Sequence, residues 1–333
     1  MELTAALGST RQALQLVGLS RSTWHYRTKP RAKVTDPVLH ADRSCAWRIS
    51  TQDRAQIEGL IQQGWREGAS VDQSFANAWD AGIMLGSQRS WGRVARGIKD
   101  QSARPKITAG TTQSPRSAPV VIAMAPDDAW TWDITDLPTP YRGMAFKAYC
   151  AMDIFSRKVV AYRVEEREVD ELAKEMFEIA FGEHGIPGAL HSDSGPAMKS
   201  NALKDLFADL GVTQTRNRPR VSNDNPYSES AFKTMKTRPH YPGTFSTLEQ
   251  ARTWMATFVE HYNSRHKHSG IALFTPNEVH DGTWRATWQQ RAHVQHTYYM
   301  NHPERFTKPP TTPTPTGIVG INIPTDDTQK TAA

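Results

Sequence analysis

Between about residues 125 and 240 the apolar runs follow one another in an order that few folds accept. Three β-rich stretches come first, WTWDITDL, KAYCAMDIF and VVAYRVEE, and the SR between the second and third suits a hairpin turn. Helical periodicity then runs from Asp170 to His184 and stops at Gly185. GALHSDSG reads as a strand entering a loop, ALKDLFADLG as a helix, VTQTR as a strand, and the segment opened by Glu229 as a further helix. Three strands, then helix, strand, helix, strand, helix is the order of a ribonuclease-H-like α/β fold, a mixed five-stranded sheet with flanking helices.

That order makes three acids converge. Asp133 lies within the first strand, Asp193 ends the fourth and Glu229 opens the helix, with 59 residues between the first two and 35 between the last two. Neighbouring strand ends bring two aspartates to one sheet edge, and a helix packed beside them presents the glutamate. Hard carboxylate oxygens of this kind suit Mg²⁺ or Mn²⁺, and two such ions can activate an attacking oxygen and stabilise a leaving one in phosphoryl transfer. Among 34 acids chance triples are common, so the surroundings matter. His191 and Gly195 flank Asp193, and glycine lets backbone approach metal or substrate closely. Lys233 and Lys236, four and seven residues after Glu229, share its helical face and put two cations where a phosphodiester would pass. Asp136, three residues after Asp133, points to the opposite strand face and reads as structural. Asp153 and Asp224 read as turn or cap residues. His261, His266 and His268, with Asn263 and Arg265, lack a metal-site spacing and fit packing or DNA-backbone contacts better.

The first 120 residues carry 17 Lys and Arg against 9 Asp and Glu, whereas the remaining 213 are nearly balanced, which points to a nucleic-acid-binding portion. Residues 1–30 read as a helix-turn-helix: Thr10 caps a first helix, Gly18 stops it, and Ser20 caps a second that offers Arg21, Ser22 and His25 to a DNA groove. Residues 45–100 read as a second helical DNA-binding module with helices opened by Thr51, Ser70 and Ser87. Its last helix sets Arg89, Arg93, Arg96 and Lys99 against Trp91 and Val94. Residues 101–124, rich in Ser, Thr, Pro and Gly, read as a linker, 125–285 as the catalytic core, and 286–333 as an extension whose KPPTTPTPTG stretch begins a disordered tail. Hydrophobic residues at 38% exclude wholesale disorder, and no run of eighteen apolar residues exists to span a membrane. Met1 to Gln12 lacks the pattern of a secretory signal, and Cys45 and Cys150 are too few for a disulfide framework.

The segments WTWDITDLP, DIFSRKVVAY, HSDSGPAM, NDNPYSESAFKTMK and HYNSRHKHSGIALFTP together resemble the catalytic core of bacterial insertion-sequence transposases. More narrowly they are similar to the OrfB-type proteins of the IS-three family, relatives of retroviral integrases, over roughly Ala125 to His280. The resemblance implies DDE catalytic and metal-ligand roles for Asp133, Asp193 and Glu229, and a DNA-holding role for Lys236. It implies metal-dependent cutting of the element's terminal inverted repeats and joining of the freed 3′ hydroxyl to target DNA, by a homo-oligomer assembled on paired ends. A cytoplasmic, nucleoid-associated bacterial protein is expected. Two departures stand out: Ser194 replaces the Asn or Arg common in relatives, and no leucine-type heptad run appears, so an upstream-frame helix-turn-helix/leucine-zipper partner is expected. The competing readings are a catalytically silent DNA-binding regulator, against which the complete acid triple argues, and a ribonuclease-H-like nuclease that never joins strands.

Overall fold

A computed structural model of the chain describes residues 8–29, 36, 39, 45, 48–105, 120–193, 195, 198, 200–217 and 225–323. Ser194, Asp224, most of the 101–124 linker and the last ten residues lie outside the described set. The chain divides into two compact units, Met1–Ala46 and Trp47–Ala333.

The first unit holds helices α1 (Thr10–Leu16) and α2 (Arg21–Thr28). Ser9 rather than Thr10 caps α1, through its hydroxyl on the Gln12 N–H; Thr10 already has helical geometry. Gly18, at φ +61°, makes the turn that the sequence assigns to it, and Ser20 caps α2. Arg21, Ser22 and His25 are all exposed.

The second unit begins with α3 (Thr51–Arg66), α4 (Val71–Asp80) and α5 (Gln88–Gly97). Ser50, one residue before the expected Thr51, caps α3, while Ser70 and Ser87 cap their helices as read. On α5 the two faces separate: Trp91, Val94 and Ala95 are buried, and Arg89, Arg93 and Arg96 are exposed. The helices close over Ile57, Ile61, Trp65, Phe75 and Trp79, and Leu273 and Val294 from far along the chain join that cluster. So this block is not a separate body; its apolar faces are completed by the C-terminal segment.

Short β1 (Val121–Ala123) is followed by β2 (Ala129–Pro138), β3 (Ala145–Asp153), β4 (Val159–Glu165), α6 (Asp170–His184), β5 (Ala189–Ser192), α7 (Asn201–Asp209), β6 (Thr213–Arg216) and α8 (Pro226–Lys236). The five-stranded sheet has the order β4-β3-β2-β5-β6. Its first three strands are antiparallel and β2, β5 and β6 run parallel, so the chain crosses through α6 to the far side of β2. This is the expected ribonuclease-H-like arrangement. The asparate of the DIFSR turn behaves as read: Asp153 accepts from the Ser156 N–H at 2.8 Å and from its hydroxyl.

Strand alternation assigns the two faces. Trp130, Trp132 and Tyr149 pack against Phe177 and Phe181 of α6 and Phe207 of α7. Cys150, Met152 and Val164 face Phe232 and Met235 of α8, together with Met255, Phe258 and Tyr262 of α9 (Leu248–Ser264).

After α10 (Pro276–His280), α11 (Trp284–Asn301) returns to the N-terminal helices. Its Arg291, 1% exposed, donates to both oxygens of Asp80 and to the carbonyls of Ala272 and Leu273, beneath the Phe274 ring at 4.4 Å. The Trp79 indole donates in return to the Arg291 carbonyl at 2.9 Å.

The expected tail departs from the sequence reading. The Thr312 carbonyl accepts from the Trp288 indole, and β7 (Val319–Ile321) pairs antiparallel with β1 at the end of the expected linker. The proline-rich stretch has few side chains to pack, but its carbonyls still accept hydrogen bonds and it delivers the apolar IVGI to an open strand. Among the described residues no helix is long and apolar enough to cross a membrane.

Arg291→Ala is expected to cost about 3 kcal/mol, because it leaves the partly buried Asp80 carboxylate with Lys267 alone and unpairs two carbonyls. A urea titration gives the value, and an unchanged midpoint would show that Arg291 is dispensable to the packing of the helical block.

Candidate active site

Asp133 sits midway along β2, the strand paired on both sides, where the alternation that buries Trp130 and Trp132 turns Thr131, Asp133 and Thr135 toward α8. Its Oδ1 accepts from the Ile134 N–H at 2.8 Å. Asp193 follows the last residue of β5, and its Oδ1 accepts from the Gly195 N–H at 2.8 Å. A Cβ on Gly195 would stand 3.1 Å from that oxygen and 3.2 Å from the Met198 sulfur, so glycine keeps this loop folded against the carboxylate. Glu229 lies in the first turn of α8, on its exposed face.

The acids feel one another. Burial first, then the charges of Asp193 and Glu229, push the Asp133 carboxyl up to about 7, against the pull of the Ile134 N–H and Lys236. Partial burial raises Glu229 as well. The Cys150 thiol, directly across from Asp133 in the β2–β3 pairing, is pushed up to about 12 by burial and by that carboxylate. Asp133, Asp136, Asp193, Gly195 and Lys236 border one cleft of about 430 Å³. Glu229 is not on its lining, and among the described residues no three such side chains close to the spacing of a single metal ion. The donor set is nonetheless all hard oxygen, and a buried carboxylate repelled by two others is what a divalent cation relieves. In that sense the residues fit the ion.

The two lysines part company. Lys236 donates to the Thr135 hydroxyl at 2.7 Å and borders the acid cleft, where burial lowers its pKa while Asp136 and Asp133 support its charge. Lys233 borders a different groove, between α8 and the α3–α4 turn. The two lysines expected at one edge therefore lie in different grooves, because a three-residue offset on α8 separates side chains enough to reach different neighbours. Asp136 is held by Lys147 at 2.6 Å. His191 is fully buried and bridges β5 to β6, its ring nitrogens 2.8 Å from the Thr215 hydroxyl and 2.7 Å from Asn217 Oδ1. It positions the strand that ends at Asp193. Of the downstream histidines, His266 stacks on Tyr262 and meets Gln73 at 2.7 Å, and burial drives its pKa down to about 3.

One residue of the site is absent from the sequence reading. Asn225, 2% exposed, accepts from the Thr131 hydroxyl at 2.6 Å and donates to the Trp132 carbonyl at 3.3 Å. It thereby ties the N-terminus of α8, and with it Glu229, to the strand that holds Asp133. An Asn directly before Pro226 reads as an ordinary helix cap, yet its side chain makes no capping bond. Only the long-range partners reveal the clamp.

Residues 123–222 and 210–276 match the integrase core domain in two overlapping family descriptions. The transposase for insertion sequence element IS904 of Lactococcus lactis subsp. lactis (strain IL1403) is 31% identical over 159 residues, 47% of this chain and 62% of its own. The InsK protein of insertion sequence element IS150 from Escherichia coli (strain K12) is 27% identical over 49% of this chain and 57% of its own. The insertion element IS407 31.7 kDa protein of Burkholderia multivorans (strain ATCC 17616 / 249) is 25% identical over 285 residues, 81% of this chain and 90% of its own. The chain spans about three fifths of the length of the first two relatives.

Sheet order and the family match together define a ribonuclease-H-like integrase core over residues 123–276. Over this part the chain is similar to insertion-sequence transposases.

Two outcomes are expected. Asp133 has its carboxyl raised in the folded chain above the unfolded value, so folding pays no penalty below about pH 4 and an increasing one as the pH rises to about 7. Metal-free Asp133→Asn should therefore be more stable than the parent at pH 8, by roughly 1–3 kcal/mol, with the gap closing near pH 4. Thermal unfolding at the two pH values measures it; a gap independent of pH would show that Asp133 ionises normally. Asn225→Ala should cost about 1–3 kcal/mol by stranding the buried Thr131 hydroxyl, whereas Asn225→Asp, which keeps the acceptor, should recover part of that loss.

Proposed function

We propose that this chain is a DNA transposase that binds the terminal inverted repeats of its insertion sequence, cuts the element's ends and joins the freed 3′ hydroxyl to target DNA. The observation that carries this reading is the buried Asp133 carboxyl, raised by burial and by the charges of Asp193 and Glu229, on an integrase core. In this reading the three carboxylates hold Mg²⁺ or Mn²⁺, as two ions. Bound there, divalent metal supplies charge neutralisation for an in-line displacement at phosphorus and lowers the pKa of the attacking oxygen.

The chain's own residues do the rest. Lys236, anchored on Thr135, holds a cation beside the carboxylates, where it draws the phosphodiester into the cleft. Gly195 keeps the β5 loop tight against Asp193, and Asn225 fixes the helix that carries Glu229. End recognition belongs to the exposed Arg21, Ser22 and His25 of α2 and Arg89, Arg93 and Arg96 of α5, two Ser-capped helices with polar outward faces. Assembly as a homo-oligomer on paired ends, with an upstream-frame helix-turn-helix/leucine-zipper protein as partner, completes the reading, and the bacterial cytoplasm with its nucleoid is the compartment it requires.

Asp133→Asn, Asp193→Asn and Glu229→Gln are each expected to lower joining of a labelled terminal-repeat oligonucleotide into plasmid by on the order of 10³-fold or more. Binding of the same end without metal should stay near the parent's, and near-parental joining in any one variant would remove that residue from the site. The full chain is used, since α3–α5 share their core with the C-terminal segment.

A further inference from the structure

Three depressions on the second unit meet end to end. Lys236 borders both the acid cleft and a second cleft of about 620 Å³. Pro105, Thr237 and Arg238 border both that second cleft and a groove of about 900 Å³ between the α3–α4 turn and the C-terminal turns of α8 and α9. The path so formed leads from the carboxylates over the end of α8 to the helical block.

Its lining is cationic. Arg66 and Arg104 border the middle cleft, Arg238 the junction, and Arg265 the far groove. The acids along the groove are Glu67 and Asp80: the first accepts from Gln63, and the second is held by Arg291 and Lys267. Arg238 is half-buried, and among the described residues neither it nor Arg265 has a carboxylate partner. Arg265 is exposed, and half-burying the Arg238 guanidinium without an anion is costly, so among the described residues the groove offers a cationic site that favours an anion. His261, beside them, is driven down to about 4 by burial and then by Arg238 and Arg265, which marks the same positive field.

The walls are fixed. Gly68, at φ +78°, stands where a Cβ would come within 2.5 Å of the Pro239 ring, so the α3–α4 turn abuts the segment after α8. The far groove is walled on two sides, by the α3–α4 turn and by the C-terminal turns of α8 and α9. Among the described residues no Phe, Tyr or Trp borders the groove to stack on bases, so the contacts it offers are chiefly to phosphates and independent of sequence.

We infer that this path carries a single DNA strand leading away from the acid cleft, its phosphates held by Arg238 and Arg265. The inference rests on the transposase reading. In the full-length chain without metal, binding of a short fluorescent oligothymidylate and of a duplex terminal repeat is measured by anisotropy across a salt series, for the parent, for Arg238→Glu and for the doubly substituted Arg238→Gln, Arg265→Gln chain. Thermal unfolding identifies any variant that fails to fold, and the neutral double substitution is the milder of the two. The double variant is expected to bind the oligothymidylate about tenfold more weakly at low salt, with a logarithmic salt slope shallower by about 1.4 for two lost single-strand phosphate contacts. Its duplex affinity should stay near the parent's. Parental oligothymidylate affinity and slope in the folded variants overturn the inference, as does an equal loss on duplex. A parent that binds and joins duplex ends but ignores the oligothymidylate overturns it while leaving the transposase reading intact. A parent that binds and joins neither overturns both.

Discussion

The Thr131–Asn225–Trp132 clamp fixes the geometry on which the site depends. Asp133 is carried by a strand paired on both sides and so has little freedom. Glu229 is carried by a helix that begins with Pro226 and lacks any side-chain cap. Left to propensity, that helix end would fray. A buried amide with two partners on β2 removes this freedom, and a buried polar group whose hydrogen bonds are satisfied specifies one arrangement where apolar packing tolerates several. His191 does the corresponding service for Asp193 by bridging β5 to β6.

What the clamp holds together is electrostatically unfavourable. A carboxyl raised to about 7 by burial and by two like charges destabilises the metal-free fold at neutral pH. The offset comes from apolar burial on both sheet faces, with Trp130, Trp132 and Phe177 on one side and Phe232, Met255 and Phe258 on the other. Lys236 relieves part of the repulsion, and it does so from the same helix as Glu229. One short helix thus carries both an acid whose charge Asp133 feels and the cation that borders its cleft.

The helical block and the core are energetically joined through Arg291. Its guanidinium holds Asp80 at the end of α4, and the two carbonyls it pairs come from the segment leading into α10. The helix α5, with its exposed Arg89, Arg93 and Arg96, therefore belongs to the same packed body as the carboxylates.

Element order was legible in the residues because strand and helix periodicities are local. WTWDITDL to VTQTR reads directly as three strands, helix, strand, helix, strand, and Asp133, Asp193 and Glu229 stand out by position within it. Caps slipped by one residue at Thr10 and Thr51 because adjacent Ser and Thr are equally good caps in sequence. Four features were decided by tertiary structure. Asn225 became a clamp, Lys233 and Lys236 went to separate grooves, the proline-rich tail ended in a strand paired with β1, and the helical block closed on Arg291. Each depends on partners some ninety to two hundred residues away. The chain's own pattern records which face of an element is apolar; which distant group meets it is fixed only when the sheet closes and buried polar atoms must find partners.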